Sequence, residues 1–147
     1  MASAVDISLV GDKALTKKLH RLEGPAQKRI VRKGLRVGAK PVLAAAKAKV
    51  PVKTGRTKAG LKIRSAGRSR SRIGVVVKTP PRAALGIAAD DPNYYPMSVE
   101  YGHSTKGGGH VPARPFMRPA LDENAQQVLG IIRREIGAGI EREARKG

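Results

Sequence analysis

The chain has 147 residues, 40% of them apolar, but only one Phe, three Tyr and no Trp. Aromatic side chains give the largest burial per residue, so the expected core is thin and neighbouring subunits are expected to supply part of the stability. The absence of Cys excludes disulfides and thiolate metal sites, and no apolar run approaches the ~18 residues that span a bilayer. The length fits a single domain over residues 1–147. Residues 1–10 lack the basic-then-apolar pattern of a signal peptide, which predicts a cytoplasmic product, and no membrane partner is expected.

The formal net charge of +19 is unevenly distributed. Residues 13–82 carry 22 Lys and Arg against one acid, Glu23, a net of +21, whereas the remainder carries 8 bases and 10 acids, a net of −2. A solvated helix face can hold a run of charge, but an imbalance this steep repels itself unless a polyanion or counterions answer it. Such a block meets nucleic acid, an anionic membrane or an acidic protein surface, and of these nucleic acid or an acidic protein surface is expected to meet the first half of the chain.

In chain order, Asp12 is placed to cap a first helix with Leu15, Leu19 and Leu22 at helical spacing. Gly24-Pro25 breaks it, and a longer helix is expected over residues 25–50, with Ile30, Gly34, Val37, Ala44 and Ala48 on one stripe and Val31, Leu35, Val42 and Ala46 beside it. Pro41 predicts a kink or break inside that run, and the small residues of the stripe predict close approach of another helix, from this chain or from another subunit. A turn pivots on Thr54-Gly55. Residues 61–66 and 72–78 read as two strands joined by a hairpin loop at 67–71.

Residues 79–93 form an irregular connection, whose 83–89 stretch can be a short helix or a packed loop, with Asp90-Asp91 as a turn. Residues 94–101 read as a third strand, at an edge because of Pro96. The 102–109 loop is flexible by composition. A last helix starts near Pro115 or Pro119 and runs into the 140s, with Asp122 and Glu123 early and Arg142, Arg145 and Lys146 late, matching the helix dipole. Leu121, Ala125, Val128, Ile132 and Gly139 trace its buried face. The expected class is α+β: a small antiparallel sheet of about three to four strands packed with a long N-terminal helix and a C-terminal helix.

Catalysis has few candidates, and no enzyme activity, cofactor or metal is expected. His103 and His110 flank a Gly-rich loop at a separation matching no standard ligand pattern. Gly107-Gly108-Gly109 is not followed by the Gly-Lys-Ser/Thr of a phosphate loop, and no Ser–His–Asp arrangement presents itself.

Contact with DNA or an acidic partner is assigned instead to Lys28, Arg29, Arg32, Lys33 and Arg36 on the long helix, and to Arg68, Arg70 and Arg72 at the hairpin tip. The basic half contains no aromatic residue, so base stacking is not expected there, and zinc-finger and aromatic RNA-binding signatures are absent. Backbone electrostatics remains.

Three segments, in this order, resemble the tail-component and neck proteins of long-tailed bacteriophages. They are Val50-Pro51-Val52-Lys53-Thr54-Gly55-Arg56; Tyr94-Tyr95-Pro96 leading to Val99-Glu100-Tyr101-Gly102; and Pro112-Ala113-Arg114-Pro115-Phe116-Met117-Arg118-Pro119-Ala120-Leu121-Asp122. The resemblance implies a structural virion protein of the head–tail junction, a subunit of a six-fold ring that meets the portal-side connector and tail proteins. It implies subunit-contact or fold-shaping roles for Thr54, Gly55, Glu100, Gly102, Pro112, Arg114, Pro115, Phe116 and Pro119. In the third segment the prolines restrict the backbone, Phe116 and Met117 can anchor in an apolar pocket, and Arg114 or Arg118 can reach an acid such as Glu100. The Gly107–Gly109 loop and the 80–92 connection depart from the resemblance. A histone-like or other architectural DNA-binding protein is the alternative, and a ribosome-associated protein would share the charge without explaining the three segments.

Overall fold

The structure is a computed structural model that describes residues 13–52, 55–67, 69, 72–89 and 95–147. Among these the order is α1 (Lys13–His20), α2 (Gly24–Gly38), α3 (Lys40–Lys49), α4 (Arg56–Gly60), β1 (Lys62–Ser65), β2 (Val75–Lys78), a 3-10 turn (Arg82–Leu85), α5 (Tyr95–Tyr101), β3 (His103–Ser104), β4 (His110–Val111) and α6 (Met117–Ala144). The class is α+β, as the residue pattern implies. The strands pair antiparallel, in two separate two-stranded ladders, β1 with β2 and β3 with β4.

The expected long helix divides as Pro41 requires. Proline has no N–H to donate, and its ring crowds the carbonyl four residues back. The chain accordingly turns at Ala39, and Pro41 sits in the first turn of α3. The buried residues of the two helices are Ile30, Gly34, Gly38, Val42 and Ala46, spaced four apart. The expected stripe drifts off this line at its end, because Ala44 and Ala48 are exposed.

The helix that approaches the small residues is α6 of the same chain. Its face of Met117, Ala120, Val128, Ile132, Ile136, Gly139 and Ile140 is buried, while Leu121 and Ala125, read as part of that face, are half-buried. The α2–α3 unit runs antiparallel to it: Arg29 meets Glu143, Ile30 meets Gly139, Gly34 meets Ile136, Gly38 meets Ile132, and Lys49 meets Glu123. The glycines set the separation. A Cβ at Gly38 would lie 2.5 Å from Ile132 Cγ1, one at Gly34 would lie 2.9 Å from Ile136 Cγ1, and one at Gly139 would lie 2.8 Å from Ile30 Cγ2. Glycine and isoleucine thus alternate as hole and knob on both partners, which compensates for scarce aromatics with close backbone approach.

The β1–β2 hairpin has Ile63 opposite Val77 and Arg64 opposite Val76. Leu61 and Val77 belong to the main core, with Ile63 and Val75 packed against it. Leu15, Leu19 and Leu22 of the first helical stretch also pack there, half-buried, as their spacing implies. The Asp12 cap, the Asp90-Asp91 turn and Tyr94 lie outside the described residues.

Residues 95–101 form helix α5 and not a third strand. The proline that argued for an edge strand sits in the first turn of a helix, where a missing N–H breaks no bond. Pro96 and Glu100, four residues apart, are its buried residues, a helical spacing that the clustered tyrosines obscure.

Candidate polyanion-binding groove

At 3.6 residues per turn, Lys28, Arg29, Arg32, Lys33 and Arg36 share one face of α2, across an arc of about 140°. That face lies opposite the Ile30–Gly34–Gly38 face that α6 covers, so all five side chains project outward and are exposed. The tertiary fold then sets the tip of the β1–β2 hairpin beside this helix. Arg32 and Arg36 line an open groove of about 840 Å³ together with Ser65, Ala66, Gly67, Ser69, Arg72, Ile73 and Gly74. Arg72 and two arginines of α2, 36 or more positions earlier in sequence, therefore converge on one concavity.

The walls have local causes. On the hairpin side the Ala66 N–H donates to the Gly74 carbonyl at 2.9 Å, closing the ladder above β1 and β2. In the loop beyond it the Arg72 N–H donates to Ser69 Oγ at 3.3 Å. Arg36 Nη2 donates to Ser65 Oγ at 3.3 Å across the groove, which ties helix to hairpin and orients one guanidinium. Beyond the groove, Lys62 stands opposite Lys78 in the ladder, with Arg64 two residues along β1. Like charges directly opposite one another oppose folding, and this pair adds positive charge beyond the groove.

The candidate residues divide in use. Arg32, Arg36 and Arg72 line the groove, and Lys28 and Lys33 flank it on the same helix. Arg29 is diverted: its Nη2 lies 2.9 Å from Glu143 Oε2 on α6. Partial burial works against a charged Glu143, but hydrogen bonds from Lys146 and Arg29 outweigh it and hold the carboxyl below its ordinary range. Arg68 and Arg70 lie outside the described residues. Sequence reasoning did not single out Ser65 and Ser69, whose hydroxyls acquire a role only once the hairpin meets α2.

A second constellation joins the other candidate residues. The buried Glu100 carboxylate accepts three backbone N–H bonds at the start of α6: from Phe116 at 2.8 Å, Met117 at 3.1 Å and Arg118 at 3.2 Å. The acid does not pair with the Arg114 or Arg118 guanidinium, as the sequence had suggested. It caps the helix from outside, satisfying donors that have no intrahelical partner and placing negative charge at the positive end of the dipole.

The Arg114 N–H donates to the Val99 carbonyl at 2.7 Å, so the two segments are laced together. Gly102 has φ +72°, and a Cβ there would lie 2.7 Å from the Val111 carbonyl oxygen, so glycine is required on both counts. Phe116 and Met117 are buried as anchors, Pro119 is half-buried, and Pro112, Arg114 and Pro115 are exposed. Gly55 adopts φ +74° just before α4, the turn that its place beside Thr54 implied, while Thr54 itself lies outside the described residues.

A family model described as "Bacteriophage HK97-gp10, putative tail-component" matches residues 13–102. The chain belongs to this phage tail-component family. The matched span contains both walls of the groove and the first two of the three motif segments. The third segment, with the start of α6, lies beyond it, joined to the matched part of the tail-component fold through Glu100. No curated protein and no solved structure gives a match.

Membership makes the tail-component chain a virion protein whose surfaces meet other virion proteins. Among the described residues, no helix is long and apolar enough to cross a membrane, and no group of three or more His, Cys, Asp or Glu is placed to hold a metal ion. His103 and His110 sit in the exposed β3–β4 hairpin.

Proposed function

We propose that this chain is a structural, non-catalytic subunit of the head–tail junction, a neck or tail-completion protein that joins the portal-side connector to the tail. It acts as one domain in a six-fold ring, and its basic face meets the polyanion that the junction presents. The observation that carries this reading is the tail-component match over residues 13–102, which contains both the basic helix and the hairpin that forms the groove with it. The charge supports it further: a field of this strength favours rapid, oriented association with an acidic or nucleic-acid surface.

The test is electron microscopy of a lysate from a phage with a nonsense mutation in this gene. Separate heads and tails, or DNA-filled heads lacking tails, are expected. Normal infectious particles would overturn the reading and favour a DNA-binding protein with no part in the virion.

A further inference from the structure

We infer that the groove between α2 and the β1–β2 hairpin is a recognition slot for an extended, carboxylate-rich peptide segment of a neighbouring virion protein. The inference rests on tail-component membership for the nature of the partner, and not on the layer of the junction in which the ring sits.

Four observations favour an acidic peptide over nucleic acid. First, among the described residues the lining bases are all arginines, Arg32, Arg36 and Arg72, whereas Lys28 and Lys33 lie outside the slot. A guanidinium offers a planar fork that grips a carboxylate through two parallel bonds, while an ammonium acts as a point charge. Second, the volume of about 840 Å³ falls within the range of clefts that enclose a compact ligand or short peptide. A DNA duplex is a convex rod and would touch only the rims. Third, no aromatic residue among the described residues lines the groove, so the bases of a single strand find no stacking platform there. Fourth, the Arg36 guanidinium is already held by Ser65 Oγ, which reduces the ordering required on binding. Ile73 adds an apolar wall against which the methylenes of Asp and Glu side chains can rest.

The intact protein is titrated against a fluorescently labelled decapeptide of alternating Asp and Glu, with anisotropy as the readout. A single-stranded and a duplex oligonucleotide of matched charge compete in parallel. The peptide is expected to bind more tightly than either nucleic acid. Arg32→Gln and Arg36→Gln should each weaken it about tenfold or more, equivalent to 1.4 kcal/mol, and Arg36→Lys should retain only part of the affinity because charge remains but the fork is lost. Lys106→Gln, an exposed lysine in the β3–β4 hairpin outside the slot, should change affinity by less than about threefold.

No peptide binding, or tighter binding of either oligonucleotide, would overturn the inference. So would losses shared equally by the Lys106 and Arg36 variants, since these would report a diffuse field and not a slot. All these side chains are exposed, so unchanged thermal melting verifies that each variant is folded. Failure here leaves the junction role standing, because microscopy of the lysate reads that role independently.

Discussion

The two faces of α2 are made by different physics within fifteen residues. The inner face, Ile30–Gly34–Gly38, is specified by volume: each glycine accepts an isoleucine of α6, and any added atom collides. The outer face, from Lys28 to Arg36, is specified by charge, is exposed, and converges with Arg72 on an open groove. Changes to the inner face should therefore register as stability, and changes to the outer face as binding. The helix separates the two functions because its period sends alternate clusters in opposite directions.

The largest expected effect lies on the inner face. Ile132 is fully buried, and Ile132→Ala should cost about 4 kcal/mol in denaturant unfolding, from lost transfer energy and the cavity left behind. Gly38→Ala alone should destabilise by about 1 kcal/mol, since an overpacking cost of ~1–3 kcal/mol exceeds a gain of about 1 kcal/mol in helix propensity. In the Ile132→Ala background the same change should become neutral or stabilising, because the colliding Cγ1 is gone. Simple additivity of the two changes would break the knob-and-hole account.

Glu100→Ala should follow, at about 3 kcal/mol, because three buried or part-buried N–H donors lose a charged acceptor. Glu100→Gln keeps an acceptor oxygen and should lose about 1–2 kcal/mol. Equal losses for the two variants would assign the effect to charge at the helix dipole and not to the hydrogen bonds.

The outer face should respond in the opposite manner. The double variant Arg32→Gln/Arg36→Gln is expected to alter unfolding stability by no more than about 0.5 kcal/mol. Its affinity for an acidic partner should nevertheless fall, and more steeply at low salt than at high salt, because screening already weakens the field at high salt. A stability loss matching that of the inner-face variants would erase the distinction between the faces.

The smallest effect concerns the ion pairs along the seam. Glu143 has a carboxyl lowered by Lys146 and Arg29, so its contribution is present above the ordinary carboxylate range and disappears as pH falls through the lowered folded value. In Arg29→Gln the acid-side slope of stability against pH should be shallower, read by thermal melts across that range. An unchanged slope would show that Arg29 is not part of the coupling.

The local signals in the sequence were strong where one residue's covalent chemistry decides the outcome. Pro41 divides the long helix, Gly55 turns before α4, and the β-branched run at Val75-Val76-Val77 enters a strand opposite a basic partner. The basic character of residues 28–36 and their common face follow from helical periodicity alone. The third-strand reading failed because Pro96 and the adjacent tyrosines suit either an edge strand or the first turn of a helix, and only the packing of Pro96 and Glu100 selects between them. The buried face of α3 was misread for a different reason: the buried residues keep a four-residue spacing from Ile30 to Ala46 across the break at Ala39, whereas the expected stripe stepped three residues from Gly34 to Val37 and so reached the exposed Ala44 and Ala48.

By itself the sequence determined the α+β class, the segregation of positive charge into residues 13–82, and the motif segments that resemble phage tail and neck proteins. Only the tertiary structure decided which partners those residues meet. The small residues of α2 receive α6 of the same chain, Glu100 accepts three backbone N–H groups instead of pairing with an arginine, and Arg32, Arg36 and Arg72 share one groove while Arg29 turns to Glu143. The reason is physical: propensity, charge and glycine placement act over a few residues and are written locally. Contacts between residues 16, 29 or 114 positions apart depend on how helices and hairpin pack, which no local window contains.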